Sequence, residues 1–272
     1  MATPFCPGYA QEPYASLVTG YPADPTYPTK DFRTEWGPIF HRGRLDGSAR
    51  VLAIGQDPAQ HEAVARRILV GTAGKRAQGF MAKLGITQSY TLINTFLYSV
   101  YGQAGGTAHI GDAAIAAYRN RWIQAVLDHN AIEAVVAFGS LADQAWQAWL
   151  HSPAASGRPV LPYQHVQHPT YPISAGQGQP GQVAQLTKAM LVGWNAAIVA
   201  LKTSIKHPDG AFGTPYGDDF KPAETPDIPL ADLPAGTPPW MATADGWANR
   251  AGATAAIKRR TIEIVVPSSV VL

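Results

Sequence analysis

Four short apolar runs punctuate the middle of the chain. The first, Val51-Leu52-Ala53-Ile54-Gly55, ends in a turn; the others cover Tyr90 to Val100, Ile132 to Gly139 and Val160 to Gln167. Short apolar runs bounded by turn residues read as parallel strands buried on both faces. Between them the period lengthens. Ile115, Tyr118, Trp122 and Val126 recur at spacings of three and four, and Val183, Leu186, Met190, Trp194, Ala197 and Leu201 trace one face of a longer helix. Ser140 and Asp143 have the spacing of a capping box and predict a helix carrying Leu141, Ala145, Trp146 and Trp149. Strands alternating with helices imply an α/β three-layer sandwich, a four-stranded parallel sheet between helices. Ligands of such sheets bind beyond the C-terminal strand ends. Chemistry is therefore expected just after Gly55, within or after the second run, after Gly139 and after Gln167.

The flanks read differently. Residues 1–40 are rich in Pro, Tyr and Gly, show no sustained period, and are expected to form an arm packed on the core. Residues 41–205 hold all four runs and form the domain expected to carry the chemistry. Residues 206–272 form a Pro/Gly-rich C-terminal extension. Within it, residues 206–246 contain 13 Gly and Pro and an acidic bias, which predicts a linker or meandering wrap rather than a core. The stretch from Trp247 to Leu272 mixes Lys258-Arg259-Arg260 with the β-prone Ile262-Glu263-Ile264-Val265-Val266, and is expected to add an edge strand or remain a tail.

Composition narrows the function classes. The hydrophobic fraction of 46% is that of an ordinary globular protein. No apolar run approaches the roughly 18 residues of a membrane span, so no membrane contact is expected. Residues Met1 to Leu17 lack a charged start followed by an apolar stretch, which predicts a cytoplasmic protein. Cys6 is the single cysteine, so a disulfide within the chain is impossible, and a Cys-ligated zinc or iron–sulfur cluster lacks its thiolates. Charge is unevenly spread on a chain of net charge +2: residues 41–85 carry Arg42, Arg44, Arg50, Arg66, Arg67, Lys75, Arg76 and Lys83 against Asp46, Asp57 and Glu62. Residues 206–246 carry two lysines against seven acids. The basic segment suits salt-sensitive phosphate binding, although a solvated helix face with scattered arginines accounts for the same charges.

Three segments fall where the sheet places chemistry. Gly55-Gln56-Asp57-Pro58-Ala59-Gln60-His61-Glu62 follows the first strand, and its Gly and Pro let the backbone approach a ligand. Asp57 there could equally cap a strand-to-helix turn. Asn94, in Thr91-Leu92-Ile93-Asn94-Thr95-Phe96-Leu97, offers a donor and an acceptor complementary to one edge of a nucleobase, or bridges neighbouring loops. His168, in His168-Pro169-Thr170-Tyr171-Pro172-Ile173-Ser174, sits where the fourth strand opens into a Pro-stiffened loop, or caps that strand end. Gly71-Thr72-Ala73-Gly74-Lys75-Arg76 lacks the spacing of a P-loop, and no Gly-x-Gly-x-x-Gly follows the first strand.

Together and in order, these segments resemble the uracil-DNA glycosylase superfamily. Gly55-Gln56-Asp57-Pro58 matches the opening of the water-activating motif G-Q-D-P-Y-H, and His168-Pro169-Thr170-Tyr171-Pro172 is similar to a one-residue-longer H-P-S-P motif. Leu92-Ile93-Asn94-Thr95 resembles the strand whose Asn reads uracil. Arg67-Ile68-Leu69-Val70-Gly71-Thr72-Ala73-Gly74 resembles R-P-F-V-G-x-A-G of the iron–sulfur branch. The resemblance covers about residues 35–205. It departs from the pattern at Ala59, where a bulky Tyr excludes the thymine methyl, and at Leu69 or Ile68, where a ring stacks on uracil, unless Phe80 supplies that ring. It also lacks cysteines for a cluster, which implies a divergent, metal-free member without cofactor.

The resemblance implies a monomeric DNA-repair enzyme that flips uracil from DNA and hydrolyses its N-glycosidic bond, leaving an abasic site. Asp57 would stabilise the sugar cation and orient water, and His168 would donate to uracil O2. Asn94 would pair with the O4 and N3 edge, the Gln56 amide would be a second donor to O2, and Ala59, Leu69 and Phe80 would border the base. Ile173 would be the wedge and Ser174 its DNA-facing neighbour. Arg66, Lys75 and Arg76 would meet phosphates. Two other readings fit the same residues: a glycosylase for hypoxanthine or mispaired thymine, and a non-catalytic nucleic-acid-binding module.

Overall fold

The computed structural model of the chain describes residues 8–23 and 25–270, so Cys6 and the start of the predicted arm lie outside the described residues. Five strands form the central sheet: β1 (His41–Gly43), β2 (Val51–Gly55), β3 (Tyr90–Asn94), β4 (Ala134–Phe138) and β5 (Tyr163–Val166), in the order β1-β3-β2-β4-β5. The four predicted strands are the parallel ones. β1 is a fifth, antiparallel to β3, with His41 opposite Ile93. It has only three residues, two of them polar, so no apolar run marks it.

Helices surround the sheet. They are α1 (Tyr14–Thr19), α2 (Gln60–Ala65), α3 (Thr72–Lys83), α4 (Gln103–His109), α5 (Ala113–His129), α6 (Ser140–Leu150), α7 (Tyr171–Ala175) and α8 (Pro180–Lys202). Alternate strand residues feed opposite cores, as the two-residue period of a strand requires. Leu52, Ile54, Val135 and Ala137 join α5 and α6 in one cluster. Val51, Ala53, Val136 and Phe138 join α3 and α8 in the other. α8 is long and apolar enough to cross a bilayer by length and composition alone. Its stripe of Met190, Leu191, Trp194, Ala197, Ile198 and Leu201 instead lies in the second core.

Three local expectations need correction. The β3 ladder stops at Asn94, and Thr95 to Val100 is a buried loop whose first amides return to β2: Thr95 donates to Gly55 O at 2.9 Å and Phe96 to Gln56 O at 3.0 Å. Its apolar side chains are buried by packing, which makes a loop look like strand in the sequence. β5 begins only at Tyr163, because Val160 is 90% exposed and Pro162 interrupts the run. The capping box on α6 is not made. Gly139 is its N-cap, at φ 97°, a left-handed conformation that favours glycine. Asp143 accepts instead from the Tyr163 hydroxyl at 2.5 Å.

The C-terminal extension is more than a linker. Ile228, Leu233, Ala242, Trp247 and Ala248 form a third apolar cluster with Ala65 and Val70. Its acids meet the basic segment. Asp232, wholly buried, pairs with Arg42 at 3.1 Å and Arg44 at 3.2 Å and accepts from the Tyr90 hydroxyl. Glu224 meets Lys83 at 2.6 Å, and Asp227 and Asp245 meet Lys75 at 3.5 and 3.7 Å. Asp209 accepts backbone amides of Gln88 and Ser89. Beyond the short α9 (Trp240–Thr243), a separate hairpin pairs β6 (Ala248–Arg250) with β7 (Ile262–Ile264), and α10 (Ala255–Arg260) lies between them. The hairpin adds no strand to the main sheet.

Candidate active site

The chain runs from β2 outward to β3, then crosses to β4 on the other side of β2. This reversal opens a crevice between the C-terminal ends of β2 and β4, where open α/β sheets bind ligands. A cavity of about 700 Å³ lies there, lined by Gln56, Gly139, Ser140, Gln167, His168 and Tyr171. The three segments singled out by sequence lie at the C-terminal ends of β2, β3 and β5, strands of one parallel set, so parallel pairing aligns them along one edge.

The recognition end of this edge is built on Gly55. In register it faces Asn94, and a Cβ on Gly55 would lie 2.4 Å from Asn94 Oδ1 and 3.5 Å from Leu69 Cδ1. Only a residue without a side chain lets the Asn94 amide lie across the end of β2. Asn94 Oδ1 is buried and accepts no hydrogen bond among the described residues. Burying such an acceptor unpaired costs about 1–3 kcal/mol, which a ligand donor would recover. Leu69, with a left-handed φ of 51°, sits beside the same amide. Non-glycine residues in this region are strained and cluster at ligand sites.

Asp57 lies in the turn after β2. Its Oδ2 accepts the Val100 amide at 3.0 Å. Burial pushes its carboxyl up to about 6, against the lowering effect of the Val100 amide and of Arg33 and Arg250. The carboxylate is therefore ionised at neutral pH yet poorly solvated, the state suited to stabilising a nearby cation. Glu62, which sequence reasoning passed over, fixes this turn. Its carboxylate accepts the Ala59 amide at 3.0 Å and the Val70 amide at 3.3 Å, tying the Asp57 turn to the Leu69 loop. The signal was available: Glu62 stands three residues after Ala59, the position that completes half a capping box.

His168 faces the crevice from the loop after β5. Burial depresses its imidazole to about 4, so it is neutral at pH 7. Its Nδ1 accepts the Thr170 amide at 3.3 Å and lies 3.1 Å from Thr170 Oγ1. An amide can only donate, so Nδ1 is the bare nitrogen and Nε2 carries the proton. Gly139 brings the two sides of the crevice together. A Cβ there would meet Gln56 Oε1 at 3.0 Å and His168 Cβ at 3.2 Å. Thr170 and Gly139 are the other two residues that sequence reasoning left out.

The remaining candidates divide. Ala59 is an exposed N-cap of α2. Ile173, 45% exposed, and Ser174 stand on α7 at the His168 side. Phe80 is elsewhere: it is fully buried edge-on to Phe138 and Trp194, at 5.5 and 5.3 Å, and does not supply a stacking ring. Ile68 is likewise core, its carbonyl accepting from Arg42 Nε at 3.1 Å. The basic candidates are engaged internally. Arg66 donates to the Trp36 and Pro38 carbonyls at 2.7 and 2.6 Å. Lys75 is buried on Thr243 O at 2.9 Å between Asp227 and Asp245. Arg76 donates to Pro169 O at 2.7 Å, bracing the His168 loop, and stacks on Phe220. Of these three, Lys75 alone is paired with acids of the C-terminal extension. Among the described residues, no group of His, Cys, Asp and Glu is arranged to hold a metal ion.

A family model described as the uracil DNA glycosylase superfamily matches residues 42–195, which include all four parallel strands, Asp57, Asn94, Gly139 and His168. No curated protein matches the sequence.

Proposed function

The chain belongs to the uracil-DNA glycosylase superfamily, and on that premise we propose that it excises uracil from DNA. The family makes it a DNA glycosylase, a hydrolase of N-glycosidic bonds acting on DNA. The choice of uracil is carried by one observation: Asn94 Oδ1 is a buried acceptor with no donor among the described residues. Uracil N3–H supplies that donor, and the Asn94 amide group donates in return to O4. Cytosine presents the reverse polarity on the same edge, so it would leave both Asn94 groups opposed to like groups.

The reaction breaks the C1′–N1 bond, its electron pair leaving with the base, while water adds to C1′. The Asp57 carboxylate faces the positive charge that grows on the sugar and holds the water. The neutral His168 donates Nε2–H to O2, where the base gathers negative charge. This is electrostatic stabilisation of both charges at once, and it requires no protonated histidine. The water keeps one proton in the new C1′ hydroxyl, and its other proton ends on N1 of the released base. Leu69 takes the place of an aromatic ring beside the base, and Ile173 is the wedge that fills the emptied stack.

A second reading is favoured by Ala59, which is small and exposed. No ring at this position guards the 5-methyl group, so mispaired thymine has room, and hypoxanthine presents the same N–H and carbonyl pair as uracil. Single-turnover release from matched oligonucleotides carrying uracil, thymine opposite guanine, or hypoxanthine, followed by alkaline cleavage, tests the assignment. Uracil is expected to be released fastest and cytosine not at all. Release of hypoxanthine or thymine with uracil untouched would overturn it.

A further inference from the structure

The basic residues of 41–85 that pair with the acidic wrap have little left for phosphate. A second set of cations lies on the β6–β7 hairpin, and its Arg250 acts on the Asp57 carboxyl. The root of the β6–β7 hairpin is fixed to α2, immediately beyond the Asp57 turn. Trp247 lies edge-on to His61 at 4.8 Å, and His61 Nε2 accepts the Ala248 amide at 3.3 Å. From this root project Arg250, Lys258, Arg259 and Arg260, all exposed. Glu263 is the one acid between Ala248 and Val266. None of the four cations forms an ion pair among the described residues.

The arm also reaches the catalytic ledge. Arg259 lies 4.5 Å from the centre of the Tyr101 ring, and Arg33 lies 4.3 Å from it. Arg33 in turn donates to Ser99 Oγ at 2.9 Å and to Val100 O at 2.6 Å, and the Val100 amide is the one held by Asp57. A groove of about 960 Å³ runs between the arm and this ledge, lined by Thr34, Glu35, Tyr101, Arg259, Arg260 and Thr261. Glu35, its one carboxylate, accepts from the Tyr101 hydroxyl at 3.2 Å.

We propose that this arm is the phosphate-binding surface of the protein, with Arg250, Lys258, Arg259 and Arg260 holding the backbone of the DNA strand that delivers its base to the crevice. Charge selects the occupant: four unpaired cations against one acid on an exposed arm suit a polyanion. Stacking on Tyr101 restricts the Arg259 guanidinium while leaving its N–H edge for phosphate oxygens. Topology supplies the direction. The arm abuts the loop after β3, and α7 with Ile173 follows β5, so the two flank β2 and β4 in the sheet. A strand crossing the crevice from Ile173 runs onto the arm. The arm lies beyond residue 195, where the family match ends. The direction of delivery rests on the glycosylase reading; the binding of DNA by the arm does not.

The test is a fluorescence-anisotropy titration of an undamaged DNA duplex with the full chain across salt concentrations. The variant carries Lys258→Gln, Arg259→Gln and Arg260→Gln, and a control carries Arg259→Lys and Arg260→Lys. Each lost phosphate contact lowers the slope of log Kd against log salt by roughly 0.9. The triple variant should lose about 2–3 in slope, and the lysine control should keep most of it. Should the triple variant fail to fold, Lys258→Gln and Arg260→Gln, measured singly, should each lose about 0.9. A wild-type slope in folded variants overturns the proposal. If wild-type protein releases no base from any oligonucleotide while its salt slope still depends on the arm, the glycosylase reading fails and the arm stands.

Discussion

Replacing Gly55 by alanine separates recognition of the base from stability of the fold. Gly55 ends β2 in extended backbone, which alanine adopts freely, and its added methyl meets Leu69 Cδ1 at an ordinary 3.5 Å. Its other neighbour is Asn94 Oδ1 at 2.4 Å, so the amide must retreat by about 1 Å to restore van der Waals contact. An amide displaced that far no longer meets N3–H and O4 in line, and misplacement of about 1 Å can cost about 100-fold in rate. Stability should hold or rise slightly, because alanine restricts the unfolded chain more than glycine. The assay is single-turnover release of uracil at saturating Gly55→Ala protein, with the thermal midpoint and the Kd for undamaged DNA measured alongside. About 100-fold loss with midpoint and Kd preserved is the expected result. Combining it with Asn94→Ala should add little, since both remove one interaction. A folded Gly55→Ala protein with wild-type rate would show that the Asn94 amide does not read the base where the structure holds it.

Other expectations follow from the same geometry. The active form of Asp57 is the anion, so single-turnover rate should rise with pH through about 6 and level off above it, a profile that Asp57→Asn abolishes along with activity. The same carboxyl titrates higher in the folded than in the unfolded chain, so its ionisation weakens the fold as pH rises from about 4 to about 6; Asp57→Asn should therefore melt higher than wild type above that window. His168, depressed to about 4, should leave no second step near neutrality, and His168→Ala should lose about 100- to 1,000-fold in rate with DNA affinity kept. Asp232→Ala strands the buried Arg42 and Arg44 and should cost about 3–5 kcal/mol in urea unfolding, whereas loss of excision without loss of stability would argue against a structural role.

The sheet was legible because parallel strands buried on both faces leave unbroken apolar runs, and all four runs became strands. Their ends were less legible. Phe96, Leu97 and Val100 are as buried as β3 itself, so burial cannot reveal where the ladder hands over to a loop. β1 was missed because His41 and Arg42 are buried through partners distant in sequence: Tyr9 for the one, and Asp232, Gln78 and Tyr90 for the other. No local period records such partners. At the site, Asp57, Asn94 and His168 stood out because each is a polar residue at the C-terminal end of an apolar run. Glycines that make room, Gly55 and Gly139, and the positioning residues Glu62 and Thr170 carry no such contrast, and their meaning depends on which side chain arrives opposite them.

The charge asymmetry was visible in the sequence, but not how much of it the chain satisfies internally. A basic segment and an acidic segment in one chain have two ways to be satisfied: by external ligands, or by each other. Effective concentration favours the internal pairing once the extension can reach, and here the third apolar cluster holds Ile228, Leu233 and Trp247 against Ala65 and Val70, bringing the acids to Lys75, Arg42 and Arg44. A buried ion pair is weak evidence of net stability, since desolvation offsets attraction, but it is strong evidence of register. Asp232, fixed between two guanidiniums and Tyr90, sets how the extension lies across the sheet. That register in turn delivers Trp247 to His61 and the cationic hairpin to the side of Asp57. The wrap thus pairs Arg42, Arg44, Lys75 and Lys83 within the chain and carries a second basic segment to the loops around Asp57. A shift of the extension would therefore uncover Arg42, Arg44 and Lys75 while drawing the hairpin's cations away from the Asp57 turn.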